Sequence, residues 1–144
     1  MFQRSKHAKG FIGATLLSCS LTATVSAEDI VSMTCPGSPN CVSSQVQGDH
    51  FIAPLDFQGQ DTATIRDRLL AWLEHSPRTV ITQSDGNIIK AKFSSRMMGF
   101  VDDLTLIIQP SGTVDVRSAS RTGYYDFKVN RKRVEALRIY FQNQ

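Results

Sequence analysis

Residues 88–121, IIKAKFSSRMMGFVDDLTLIIQPSGTVDVRSASR, contain three segments in which apolar and polar side chains alternate. In the first segment Ile89 and Phe93 fall on one face, whereas Lys90 and Lys92 fall on the other. This alternation is typical of antiparallel strands with one buried and one solvated face. The strands predicted from it cover residues 88–96, 101–109 and 113–121.

A fourth strand is predicted over residues 79–83, upstream of the first three. Gly86 and Asn87 lie between this segment and the next strand. Both residue types tolerate the positive φ that a tight turn requires, so the two segments are expected to form a hairpin.

Helical periodicity flanks the strands on both sides. Asp61 is a candidate N-cap and Pro77 ends the first helical run, while Asn130 is a candidate cap for a second helix. The apolar positions at helical spacing are Ile65, Leu69, Trp72 and Leu73 in the first helix and Val134, Leu137 and Phe141 in the second. We predict an α+β domain over 61–144, with an antiparallel sheet of about four strands and two helices packed on one face.

The N-terminus has the layout of a secretory signal peptide. Arg4, Lys6 and Lys9 precede the uncharged run 11–25, and the segment Val25-Ser26-Ala27 supplies small residues at the two positions that signal peptidase reads. We therefore expect residues 1–27 to be removed and the mature chain to be periplasmic or associated with the cell envelope.

Two alternatives would attach the chain to a membrane. Residues 16–19, LLSC, resemble a bacterial lipobox, in which Cys19 would be lipidated and anchor a lipoprotein. An uncleaved signal is the weaker alternative, because the uncharged run is shorter than the roughly 20 residues of a membrane span. Membrane attachment is therefore expected only through Cys19 or an uncleaved signal.

Cys35 and Cys41 are the cysteines left to pair, because cleavage removes Cys19 and lipidation blocks it. Export favours a disulfide, and the intervening Pro-Gly-Ser-Pro-Asn suits a turn. Redox pairs are more often spaced Cys-x-x-Cys, and a zinc site would need further ligands, for which only His50 and His75 remain. We predict a disulfide that clamps an extended lead-in over 28–60, and no metal site.

Matching apolar residues across the hairpins predicts the register of the sheet. The predicted pairs are Ile108 with Val114, Leu106 with Val116, Phe93 with Leu104 and Ala91 with Leu106. In this register Asp103 lies opposite Ser94 and Ala119 on the solvated face. The cations at the diagonal positions are Lys92, Arg96, Arg117 and Arg121.

This cluster has two interpretations. It is either a solvated face whose exposed ion pairs contribute about 0.2 to 1 kcal/mol each, or an anion site, because arginine binds carboxylate and phosphate bidentately. The candidate ligand-binding residues are Arg96, Asp103, Arg117, Arg121, Asp126, Asn130 and Arg131. Asp102 and Asp103 are adjacent on a strand and should point to opposite faces, which is a poor arrangement for an acid and base pair.

Composition and motifs narrow the function classes. Three of the 16 basic residues lie in the first ten positions, which leaves 13 against 13 acidic residues. This balance argues against nucleic-acid binding. The chain has no Gly-x-Ser-x-Gly, His-Glu-x-x-His or Gly-rich phosphate loop, which argues against a hydrolase or transferase. No cofactor is predicted. We expect an envelope binding or structural module for an anionic small molecule, a lipid headgroup or an envelope protein. The alternative is an envelope hydrolase or transferase that acts on an anionic substrate at the same Arg/Asp cluster.

Three stretches resemble the bacterial and plastid family called domain of unknown function 1499. They are CPGSPNCVSS at 35–44, FSSRMMGFVDD at 93–103 and VRSASRTGYYDFKVNRKRVEAL at 116–137. The resemblance covers nearly the whole exported chain. Because no activity is established for the family, the resemblance does not indicate which activity this chain has. The positions that match the family pattern are Arg96, Asp102, Asp103, Arg117, Ser118, Ser120, Arg121, Gly123, Asp126, Asn130, Arg131 and Arg133.

Overall fold

The computed structural model describes residues 31–96 and 98–144. The predicted cleavage after Ala27 and the predicted lipidation of Cys19 lie outside these residues. None of the helices in the described part of the chain has the length and apolar content needed to cross a membrane.

The predicted α+β fold is confirmed. The elements are β1 (Cys41–Ser43), β2 (Leu55–Asp56), α1 (Thr62–His75), β3 (Thr79–Asp85), β4 (Ile88–Ser94), β5 (Val101–Ile108), β6 (Thr113–Ser120) and α2 (Val129–Gln142), with a 3-10 turn at Gly48–His50. The antiparallel sheet has the order β1-β6-β5-β4-β3, and β2 also pairs with β6. The two short strands β1 and β2 come from the lead-in.

The hydrophobic core lies between one face of the sheet and the two helices. Helix α1 contributes Ile65, Leu69 and Leu73, and α2 contributes Val134 and Leu137. The lead-in adds four buried apolar side chains: Val42, Ile52, Leu55 and Phe57. The lead-in therefore supplies core contacts as well as the disulfide.

The two helices begin in different ways. Asp61 caps α1 as predicted, with its Oδ1 accepting a hydrogen bond of 3.0 Å from the Thr64 amide. The predicted cap of α2 is wrong, because Asn130 lies inside the helix and is fully buried. Asp126 instead accepts from the Asn130 amide at 2.9 Å, which frees the Asn130 side chain for contacts with the sheet.

One of the two predicted registers is confirmed and the other is wrong. Strands β5 and β6 pair as predicted, but β4 is shifted by two residues against β5, so that Ala91 lies opposite Leu104. A shift of two keeps every side chain on its face and therefore leaves the hydrophobic pattern unchanged. As a consequence, Asp103 lies opposite Lys92 rather than Ser94.

The disulfide between Cys35 and Cys41 is present, with the Cα atoms 5.7 Å apart. Closing so short a loop in the unfolded chain contributes about 2 kcal/mol. We expect reduction to lower the free energy of unfolding by about this amount, measured by urea denaturation with and without reductant. The double Cys-to-Ser variant should not respond to reductant, and an unchanged wild-type midpoint would contradict the prediction.

Candidate functional site

The sheet face away from the helices carries the first part of the predicted site. Arg121 binds Asp103 through two hydrogen bonds of 2.8 Å, from Nε to Oδ2 and from Nη2 to Oδ1. These contacts raise the pKa of the Arg121 guanidinium. Both Asp103 oxygens are therefore used by a neighbouring arginine.

Arg117 lies on the same face but contacts the N-terminal segment. Its Nε donates to the Thr34 carbonyl at 2.7 Å. Burial lowers the pKa of the Arg117 guanidinium, and the charge of Asp103 opposes that shift. Arg117 therefore holds the segment before the disulfide against the sheet.

Asp126 and Asn130 belong to a different place, a polar network between α2 and the inner face of the sheet. The network consists of Asn40, Asp102, Ser118, Ser120, Asp126, Asn130 and Arg133. At its centre the side-chain nitrogen of Asn130, Nδ2, lies 2.9 to 3.1 Å from the Asn40 carbonyl, Ser120 Oγ and Asp126 Oδ2. The Asn130 oxygen accepts from Ser118 and Arg133.

An ion pair forms the other half of the polar network. Arg133 Nη2 donates to Asp102 Oδ2 at 2.6 Å, and the two side chains are 11% and 13% exposed. The guanidinium also lies 4.4 Å from the centre of the Phe93 ring. As expected for adjacent strand residues, Asp102 and Asp103 point to opposite faces, and each binds its own arginine.

The polar network fixes the loop that connects β6 to α2. Asn40 Nδ2 donates to the carbonyl of Gly123, whose φ of +84° requires glycine-like freedom. Asp126 accepts hydrogen bonds from the amides of Lys128 and Asn130. The path of this loop is therefore set by hydrogen bonds to the disulfide loop on one side and to the start of α2 on the other.

Five exposed apolar side chains surround a cavity at this end of the sheet, and we call them the loop-end patch. The patch consists of Met98, Phe100, Tyr125, Phe127 and Val129. The cavity has a volume of about 380 Å³, and Arg96, Asp102 and Asp126 also line it. Arg96 therefore lines an apolar pocket together with Asp102 and does not lie in the predicted cluster around Asp103.

Phe127 has the least favourable backbone conformation in the loop-end patch. Phe127 and Lys128 have φ values of 54° and 63°, in the left-handed region that bulky side chains rarely adopt. Such residues persist where surrounding contacts hold them, and they concentrate at ligand sites. Here the conformation leaves the Phe127 ring 76% exposed and stacked edge-on against Tyr125.

A second cavity of about 500 Å³ lies between the disulfide loop and the start of α2. Arg131 lines it, and its guanidinium donates to the carbonyls of Phe51 and Asp49. Asp49, Asp126 and Lys128 line it as well, so its acids and its Lys and Arg side chains are equal in number. Because two backbone carbonyls already bind the Arg131 guanidinium, that group is less available to an anion than the Arg96 guanidinium in the apolar pocket.

The seven residues predicted to form one site are thus divided among four places. Asp103, Arg117 and Arg121 lie on the outer sheet face, and Asn130 lies in the polar network. Arg96 lines the apolar pocket and Arg131 lines the second cavity. Asp126 lines both cavities and also belongs to the network. Sequence reasoning missed the assembly of the network around Asn130 and the loop-end patch. The change from inward Val114 and Val116 to Ser118 and Ser120 within β6 indicates the polar network. The apolar residues within 98–100 and 124–129 indicate the loop-end patch.

Comparisons with known proteins give one match. No curated protein and no solved structure matches this chain. The family model described as "Protein of unknown function (DUF1499)" matches residues 32–141, which include all the described strands and the polar network. The chain therefore belongs to the DUF1499 family, as its three motif stretches predicted.

Proposed function

We propose that the protein is an exported binding module of the cell envelope that holds an amphiphilic ligand with an apolar part and an anionic group. The apolar pocket beside Arg96 is the observation that supports this function. Its volume and its mainly apolar walls with few polar groups are typical of small-molecule sites. Arginine is well suited to the anionic group, because its guanidinium binds carboxylate or phosphate with two hydrogen bonds.

The charges around the apolar pocket favour an anion over a cation. Both carboxylates that line it are already bound: Asp102 contacts Arg133 and Ser120, and Asp126 contacts N–H groups of α2. Among the described residues, the ion pairs are those of Arg121, Arg133 and Arg138. Arg96 is the one cation among the described residues that line the pocket, and it takes part in none of these ion pairs, so its guanidinium is available to an anionic group.

The geometry gives less support to an enzyme at the Arg/Asp cluster. Asp102 and Asp103 lie on opposite faces of the sheet, and each carboxylate binds an arginine. An acid and base couple requires two carboxyl groups that face the same substrate. This pair does not meet that requirement, so we favour binding without catalysis.

Titration with dodecyl phosphate below its micelle concentration tests the proposal. We expect the mature, exported protein to show amide NMR shifts in residues 95–100 and 122–129. Arg96→Gln should weaken binding about tenfold, because a hydrogen bond to a charged group contributes about 1.5 to 3 kcal/mol. Lys90→Gln is the matched control, since it removes one charge from the outer face of β4, and Lys90 does not line the pocket.

Two results would contradict the proposed function. One is the absence of shifts at millimolar dodecyl phosphate. The other is a set of shifts confined to the outer face around Arg117 and Arg121, which would place anion binding at the sheet cluster instead.

A further inference from the structure

We infer that the loop-end patch docks on an anionic lipid membrane, with Phe127 and Met98 entering the interface between headgroups and acyl chains. The inference rests on the proposed function and specifies that the amphiphile is presented as lipid in a bilayer. Three observations carry it: the exposed apolar area, the charges beside it, and the backbone that presents it.

The exposed apolar area is large for a chain of this size. Phe100, Tyr125 and Phe127 are 43%, 55% and 76% exposed, and at about 200 Å² for a whole aromatic residue these fractions amount to roughly 350 Å². Met98 and Val129 add to this area, which falls within the range for the largest apolar patch on a soluble monomer, and patches of that size are often functional. All five residues line one cavity, so the area is contiguous.

The charges beside the loop-end patch select an anionic bilayer. Residues 121–133 contain five basic side chains and one acid, Asp126, whose carboxylate binds N–H groups of α2. Arg121 and Arg133 have their own acidic partners among the described residues, but Lys128 and Lys132 form no ion pair there. Lysine and arginine next to an apolar surface bind anionic headgroups while their methylene chains remain in the apolar layer.

The backbone presents an aromatic ring next to a cation. Phe127 and Lys128 are consecutive left-handed residues, and Asp126 holds them through the Lys128 amide. Phenylalanine and tryptophan occupy the apolar face of segments that bind at the boundary between water and lipid, and basic side chains of the same segments reach the headgroups. Because the polar network fixes this loop, docking would require little ordering of the chain.

The two loops of the patch leave the same end of the sheet. Loop 95–100 connects β4 to β5, and loop 121–128 connects β6 to α2. The hairpin turns at Gly86 and Gly112 are at the opposite end of these strands. An end-on approach therefore brings both loops to the membrane and leaves the two hairpin turns in water.

Vesicle sedimentation of the protein exported by the cell tests the inference. Intact-mass measurement first establishes the N-terminus of this protein, which is expected at Glu28. We expect it to bind vesicles of phosphatidylcholine and phosphatidylglycerol at 7:3 and to bind pure phosphatidylcholine much more weakly. Phe127→Asn should weaken binding about tenfold, and Arg96→Gln about fivefold. Tyr140→Ser, which removes an exposed aromatic ring from the other end of α2, should leave binding unchanged.

Asparagine is chosen at position 127 because it tolerates the left-handed conformation, so the variant should keep its fold, which circular dichroism checks.

As an independent readout, the fluorescence of the Phe127→Trp variant should shift to the blue on the mixed vesicles. Equal weakening by Phe127→Asn and Tyr140→Ser, or no blue shift, would overturn the inference. If monomeric dodecyl phosphate binds but the mixed vesicles do not, the membrane inference fails while the proposed function stands; if neither binds, both fail.

Discussion

Asn130→Ala is expected to lower the free energy of unfolding by about 3 kcal/mol or more. The Asn130 side chain is fully buried and contacts five polar groups, on the disulfide loop, on β6, on the loop before α2 and within α2. Alanine would leave several of these groups buried without a partner, and each such group costs about 1 to 3 kcal/mol. Urea denaturation of the two proteins measures the difference.

Asn143→Ala provides the matched control for this experiment. Asn143 is exposed at the end of α2 and makes one hydrogen bond, to the Ile139 carbonyl. Its removal should change stability by no more than about 0.5 kcal/mol. Similar values for the two alanine variants would show that the polar network does not stabilise the fold.

Asp102→Ala is expected to cost about 3 kcal/mol, the lower end of the range for removing one partner of a buried ion pair, because the side chains of this pair keep 11% and 13% of their surface exposed. The remaining charge would be the Arg133 guanidinium, which is 11% exposed and lies over the Phe93 ring. The double variant Asp102→Leu/Arg133→Met should recover much of this loss, because it removes both charges.

The neighbouring residue supplies the control for this second experiment. Asp103 forms an ion pair of similar geometry with Arg121, but on the exposed face. Solvent screens such a pair, so Asp103→Ala should have a much smaller effect than Asp102→Ala. Equal losses in thermal or urea denaturation would contradict the assignment of Asp102 to the buried side of the sheet.

These two predictions concern the support of the proposed site rather than its contacts with a ligand. Asn130 and Asp126 fix the start of α2, and Asn40 fixes Gly123 in the preceding loop. Variants of the polar network should therefore reduce amphiphile and vesicle binding together with stability. Phe127→Asn and Arg96→Gln should reduce binding without loss of stability, which separates the two roles.

Local patterns in the sequence were sufficient for the elements of the fold. Alternation with a period of two predicted the four long strands and the separation of Asp102 from Asp103, and helical spacing after Asp61 predicted α1. The disulfide followed from signal-like residues at the N-terminus and from the turn between the cysteines. Each of these features depends on residues close together in the chain or on a single periodicity.

Contacts between distant residues settled what local patterns left open. A shift of two residues between β4 and β5 preserves the hydrophobic pattern. The pattern therefore cannot decide whether Lys92 or Ser94 pairs with Asp103, and the structure shows that Lys92 does. The polar network joins Asn40 to Asn130, 90 positions apart in sequence, and loop 95–100 meets loop 121–128 only because β5 and β6 pair. Periodicity describes which face a side chain occupies, whereas the candidate site depends on which distant side chains share that face.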